Sequence, residues 1–191
     1  DKVPLKRTEG ALPLNSVLCG PERSEVSFDI FLSHFANGDL AEAAKAPILE
    51  VLNRRAYKGP DEFGFYVVDM GPDDQVEVSA SGLESADVFY GCAFHVRRLS
   101  EALSAFMLRE AVAGQLAVIP AVEGNPVLVL EPSMLQELPS EMREGFVPAV
   151  VLTADELHAA IAPGFRDWAD YRDQVVGRGK EPWGRTTRAF N

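Results

Sequence analysis

Apolar residues in this chain come in short bursts separated by Gly, Pro, Asn and Asp, the spacing of strands and brief helices joined by tight turns. The first clear burst is Ser27-Phe28-Asp29-Ile30-Phe31-Leu32, which alternates in the strand period and stops before Asn37-Gly38, a turn signal. It predicts a central strand. Asp39, with Glu42 three residues later, has the spacing of a capping box, and Leu40, Ala44, Ile48, Val51 and Leu52 share one helical face, with Pro47 expected to kink or divide the helix. After the turn cluster Lys58-Gly59-Pro60-Asp61, the run from Phe63 to Val68, the alternating Gln75–Ser79 and the longer Ala86–Arg97 predict an antiparallel meander.

Ser100 is placed to cap a helix carrying Leu103, Phe106, Met107 and Ala111 on one face, with Gly114 at its end. Two short apolar runs follow, 116–119 and 127–130, separated by Glu123-Gly124-Asn125-Pro126 and expected to pair as buried strands. One or two helical turns fit 132–138. Val147–Leu152 predicts a further strand entering a helix at Thr153, where Glu156 completes a capping box, and a last helix runs from Pro163 through Val176. The expected fold is α+β, a mostly antiparallel sheet with helices packed on it, in a single compact domain over 26–176.

Composition agrees with an ordinary folded domain: of 191 residues, 47% are hydrophobic and 25% charged. A core of this size requires neither metal nor disulfide, and Cys19 and Cys92 are too few and too far apart for a disulfide framework or a metal knuckle. No apolar run approaches the ~20 residues that span a bilayer. Leu12, Leu14, Val17 and Leu18 are too sparse for a signal-peptide core, and Leu18 is too large to precede a lipidated Cys19. These features point to a cytoplasmic location away from membranes. Residues 1–25 are expected to be a leader outside the domain, with translation starting near Val26, and 177–191 a polar basic tail that frays.

Charge changes the picture of possible partners. Residues 26–176 hold 10 Lys and Arg against 24 Asp and Glu, a net −14. Such a body repels phosphate backbones, so nucleic acid is disfavoured, whereas a basic protein partner would be attracted and its encounter accelerated. Acidity for solubility alone is the readier explanation of the same charge.

Chemistry-bearing motifs are sparse. His34, His95 and His158 are scattered with no metal-ligand spacing, so neither metal nor other cofactor is expected. There is no nucleophile elbow and no phosphate-binding glycine loop. Cys92 falls on an apolar strand face, where a thiol is an inert small hydrophobe. The segment Gly91–Arg98 is the one place where polar groups gather. Strict alternation puts Val88, Tyr90, Cys92, Phe94 and Val96 on one face and Phe89, Gly91, Ala93, His95 and Arg97 on the other. Two arrangements remain open: a polar pocket where His95 and Arg97 meet Asp29 or Asp69, or a sheet rim where they pair with carboxylates while Gly91 and Ala93 make room for the Leu103–Phe106 helix. Trp183, in the polar tail, is a candidate anchor for a partner.

The opening Ser27–Phe35 with Asn37-Gly38-Asp39 resembles that of a family of small uncharacterised bacterial proteins beginning with a SFDIFL-like or SYDIFL-like strand. The resemblance extends through the Phe94–Arg97 strand and its following helix to the Pro148–Leu152 strand, and excludes residues 1–25. Its motifs are structural, so it carries over no site residue and no activity, and it is similar to stand-alone immunity-like proteins by analogy only. Two functional readings follow: an acidic, non-enzymatic protein-binding domain of immunity or antitoxin type, and a small hydrolase or small-molecule binder using the His95/Arg97 face.

Overall fold

A computed structural model describes residues 27–122 and 124–178. The chain runs β1 (Phe28–Ser33), β2 (Phe35–Ala36), β3 (Asp39–Leu40), α1 (Lys45–Leu52), β4 (Tyr57–Lys58), β5 (Phe65–Gly71), β6 (Asp74–Ser79) and β7 (Gly91–Val96). It continues as α2 (Glu101–Gly114), β8 (Ala117–Pro120), β9 (Leu128–Val129), α3 (Met134–Glu137), α4 (Ser140–Gly145), β10 (Ala149–Val150) and α5 (Ala154–Arg178). Eight strands form one sheet in the order β10-β9-β8-β1-β7-β6-β5-β4, antiparallel except where β10 runs parallel to β9. The expected α+β architecture, a mostly antiparallel sheet with helices packed on it in one domain, is what forms. β2 and β3 make a separate hairpin whose turn, Asn37-Gly38, has both residues at positive φ, the conformation that makes Asn-Gly the preferred pair there.

β1 is central, hydrogen-bonded to β7 on one side and β8 on the other. Its alternation sorts cleanly. Phe28, Ile30 and Leu32 enter the core with Cys92, Phe94 and Val96 of β7, while Asp29, Phe31 and Ser33 face outward. α1, α2 and α5 cover the core side, with α2 packed against both of the others. Phe106 meets Phe94 edge-on, and Phe165 and Trp168 of α5 meet Phe28. Each such side chain contributes roughly 1.5–3 kcal/mol through removal from water. A smaller apolar cluster on the opposite side, Ala117, Val127, Val129 and Leu138, is closed by the α3 segment. Among the described residues, no helix lies over the rest of that face, at β1, β7, β6 and β5.

Several local expectations shift. Asp39 caps nothing: it pairs in the β2–β3 hairpin, and α1 begins at Lys45. Pro47 is therefore in the first turn, where its missing N–H breaks no helical bond. Thr153 and Glu156 do form a capping box, Thr153 N–H donating to Glu156 Oε2 at 3.1 Å and Glu156 N–H to Thr153 Oγ1 at 3.2 Å. The backbone N–H groups of Leu152 and Thr153, which both donate to Glu156 Oε2, hold its carboxyl below its ordinary pKa. The two helices expected after Thr153 are one, α5, which runs through Pro163.

The parity of the Ala86–Arg97 run also breaks. Phe89 is buried while Val88 and Tyr90 are exposed, yet Cys92, Phe94 and Val96 point inward as expected. The change of hand occurs at Gly91, whose φ is +152° and where a Cβ would collide with the carbonyl oxygen of Leu32. Gly91 and Ala93 therefore face the neighbouring strand and the open side, not the Leu103–Phe106 helix.

Glu110 of α2 lies within the core, 3% exposed, beside a small cavity shared with Tyr66, Cys92 and Phe106. Its Oε2 has no hydrogen-bond partner among the described residues, and burial raises the carboxyl from its ordinary 4.5 to about 8. Burial, then the charge of Glu110, pushes the Cys92 thiol far upward and leaves it unreactive.

Two predictions follow from these positions. Gly91→Ala should destabilise the fold by about 2 kcal/mol or more, read from the urea midpoint, because neither β1 nor β7 has room to yield; an unchanged midpoint would contradict the close approach. For Glu110, the neutral acid is favoured in the folded state, so its contribution is intact below pH about 4.5 and is lost as pH rises to about 8. Glu110→Gln should therefore gain on the wild type across that window by up to about 5 kcal/mol, then level off. Parallel stability profiles for the two proteins would rule out a buried neutral carboxyl.

Candidate functional site

The helix-free face is organised by strand register. Reading across from one edge, Lys58 lies opposite Val67, Val67 opposite Glu77, Glu77 opposite His95, and His95 opposite Asp29. All five share the outer face because every neighbour in the ladder shares its partner's parity. The next row holds Phe65, Ser79, Ala93 and Phe31, so two aromatic rings stand at the ends of a stretch of small residues.

Within the first row, Asp29 Oδ1 lies 2.9 Å from His95 Nδ1 and also accepts from Ser27 Oγ at 2.7 Å. An ionised carboxylate only accepts, so Nδ1 carries the shared hydrogen and donates. That fixes the imidazole orientation and leaves Nε2 as the proton acceptor of the neutral ring. Nε2 is buried and has no hydrogen-bond partner among the described residues, and the Phe65 ring stacks on the imidazole at 5.6 Å. Arg97 turns aside from His95 and donates to Glu77 Oε2 at 3.3 Å.

The four described candidates thus separate. Asp29 and His95 are in contact. Arg97 belongs to a neighbouring ion pair with Glu77. Asp69 stays at the β5–β6 hairpin, where its Oδ1 accepts the Gly71 N–H at 2.8 Å, and it lines a broad depression with Asp73, Asp74, Arg97 and Arg98. Trp183 and Cys19 lie outside the described residues.

Sequence reasoning missed Glu77, Phe65 and Ser27. The alternation of Gln75–Ser79 places Glu77 on the outer side, but only the ladder register reveals that it faces His95. The other histidines are elsewhere. His158 Nδ1 lies 3.0 Å from Ser104 Oγ at the α2–α5 contact. His34 follows β1 beside a cleft of about 280 Å3 shared with Gln115 and Glu131, and its buried Nδ1 has no partner among the described residues.

Chemically, the arrangement supplies an oriented imidazole, an adjacent ion pair and exposed aromatic surface. Among the described residues, no hydroxyl or thiol hydrogen-bonds His95 Nε2, and no cluster of His, Cys, Asp and Glu has a metal-binding arrangement. Among them too, no helix is long and apolar enough to cross a membrane. Phe31 and Phe63 are 42% and 68% exposed, and Phe63 lines a depression with Phe65, Lys58 and Glu77. No family model, curated protein or solved structure matches this chain.

The Asp29–His95 contact is partly solvated, so its net worth should be small. A double-mutant cycle with Asp29→Asn and His95→Gln should give a coupling of about 0.5–1 kcal/mol in denaturant unfolding at neutral pH. A coupling of several kcal/mol would mean that the pair is part of the core's support and not a surface feature.

Proposed function

We propose that this chain is an acidic, non-enzymatic binding domain of the cytoplasm whose helix-free sheet face engages a basic protein, in the manner of an immunity or antitoxin inhibitor. The supporting observation is the combination on one face of exposed Phe31, Phe63 and Phe65 with the acids Asp29, Asp61 and Glu77. Exposed aromatic side chains supply desolvated anchors, and carboxylates around them attract a cationic surface and speed its encounter. The excess of acid over base in the domain extends that field while repelling nucleic acid.

A second reading, a small hydrolase or small-molecule binder centred on His95 and Arg97, draws support from the oriented imidazole. It ranks behind because Phe65 covers the ring, Arg97 is engaged by Glu77, and the site supplies no nucleophile beside Nε2.

The test is capture of partners by the tagged full chain from lysate of its own source cell, followed by titration of the purified partner. One basic protein in near-equal amount, binding about tenfold or more weakly as salt rises from low to moderate, is expected. Phe31→Ser with Phe63→Ser should weaken binding about tenfold or more, while His95→Ala with Arg97→Ala should change it by less than about threefold. Undiminished binding by the double serine variant would remove this face from the interface. A partner indifferent to salt, or turnover lost in the double alanine variant, would reverse the ranking of the two readings.

A further inference from the structure

At the rim of the helix-free face, the chain passes from β4 to β5 through a closely bonded loop. The Asp61 N–H donates to the Phe65 carbonyl at 3.0 Å, the Gly64 N–H donates to the Asp61 carbonyl at 3.1 Å, and Asp61 Oδ1 accepts the amides of Phe63 and Phe65, each at 2.9 Å. Gly59 lies so near the strand it feeds that a Cβ there would stand 2.5 Å from the Phe65 carbonyl oxygen. Phe63 is left 68% exposed on this loop. The Asp61 carboxylate is held in place through Oδ1, while its Oδ2 takes no hydrogen bond among the described residues.

The loop walls a depression of about 340 Å3 whose other sides are Lys58, Phe65, Val67 and Glu77. Lys58 is opposite Val67 and Val67 opposite Glu77, so Lys58 and Glu77 stand two strand spacings apart, about 10 Å, with Val67 between them. Glu77 is engaged by Arg97. Lys58 Nζ and the Asp61 carboxylate share the depression, yet neither makes an ion pair with the other or with any described residue. Opposite charges held apart in one hollow, each without a partner and with an exposed aromatic ring beside them, suit a ligand that brings a cation for one and an acceptor for the other.

We propose that this depression is the subsite for one arginine side chain on an exposed segment of the basic partner. The guanidinium lies against the Phe63 ring and donates to Asp61, its aliphatic stem runs over Val67, and Lys58 Nζ donates to a backbone carbonyl next to the arginine. A guanidinium fits better than an ammonium because it is planar, stacks on aromatic faces, is weakly hydrated and can give a carboxylate two parallel hydrogen bonds. A lysine ammonium is a compact, strongly hydrated charge that gains less from the ring. The inference rests on the reading of the helix-free face as an interface for basic protein. It adds the residue type that the face selects and the place where selection occurs, at the Asp61 loop and not at the Asp29–His95 contact.

The experiment titrates the 15N-labelled full chain with the capped tripeptide acetyl-Gly-Arg-Gly-amide and follows amide chemical shifts. Saturable millimolar binding with shifts at 58–67 is expected, and about threefold or more weaker binding when the arginine is replaced by lysine or by citrulline, its neutral near-isostere. Asp61→Asn keeps the oxygen that accepts the two loop amides and removes the charge, so it should fold and bind the arginine peptide about threefold or more weakly. Phe63→Leu removes the ring from an exposed position and should weaken the peptide by a similar factor, which keeps the mutational test decisive if the Asp61 variant fails to fold. No saturable shift at millimolar peptide, equal binding of the arginine and citrulline peptides, or undiminished binding by either folded variant overturns the proposal. Tighter binding of free arginine than of the capped peptide also overturns it, by assigning the depression to the amino acid itself. A captured protein partner that is weakened by Phe31→Ser with Phe63→Ser but indifferent to Asp61→Asn would remove the arginine subsite and leave the interface reading standing, whereas indifference to both would remove both.

Discussion

The burial of Phe28, Ile30 and Phe94 beneath α2 and α5 fixes the orientation of every strand around β1. Because side chains alternate with period two, a slip of one residue in β1 would bring Asp29, Phe31 and Ser33 into the core and expel three large apolar groups. At roughly 1.5–3 kcal/mol for each expelled side chain, that register has no competitor. The close passage of Gly91 against Leu32 locks the β1–β7 pair from the other direction, since it is the point where the chain changes hand between the loop before β7 and the strand itself. β1 and β7 then act as a single platform. What stands on the platform's outer side is set by what the inner side must bury.

The Asp29–His95 contact is a consequence of this arrangement and not a cause of it. A partly exposed ion pair is worth about 1 kcal/mol or less, too little to choose a register, whereas the register delivers the two residues opposite each other at no extra cost. The same holds for Glu77, brought opposite His95 by the β6–β7 ladder. The imidazole is thereby oriented at one nitrogen, buried at the other, and stacked on one face by Phe65. An imidazole that must exchange protons with a substrate needs an approach to its free nitrogen. Here the burial of Nε2 closes that approach.

Much of the fold was legible because many of its segments make the same choice locally and globally. Ser27–Leu32 alternates where one face is buried, Asn37-Gly38 sits in the turn that needs two positive φ values, and Ser100 receives the Leu103 N–H as a cap. The misreadings arise where two local signals compete. Asp39 and Glu42 have capping-box spacing, but the β2–β3 hairpin takes Asp39 first and the helix waits until Lys45. Val88, Phe89 and Tyr90 suggest the same alternation as the strand that follows, but a glycine that only the approach of β1 requires inverts it. The site was legible as residue types and not as pairings. Asp29 and His95 could be suspected from outward parity, whereas the choice between Asp29 and Asp69, and the capture of Arg97 by Glu77, depend on ladder order that no local pattern encodes. β10 was legible as a strand but not as a parallel edge, for the same reason.

The acidity of the domain has two sources that the structure separates. Some carboxylates serve the backbone: Asp61 Oδ1 accepts the amides of Phe63 and Phe65, Asp69 that of Gly71, Glu137 that of Asn37, and Glu156 those of Leu152 and Thr153. These would be chosen whatever the domain binds, because turns and helix starts leave donors that an oxygen must satisfy. Glu62, Glu144 and Asp155 have no such duty among the described residues, and mutual repulsion among so many like charges disfavours the compact state. Solubility alone would be met by a smaller excess with both signs interspersed. The proposed cationic partner would neutralise that surplus where it lies beside exposed apolar groups of the outer sheet face, so that desolvating a hydrophobic anchor and neutralising a carboxylate can occur in one contact.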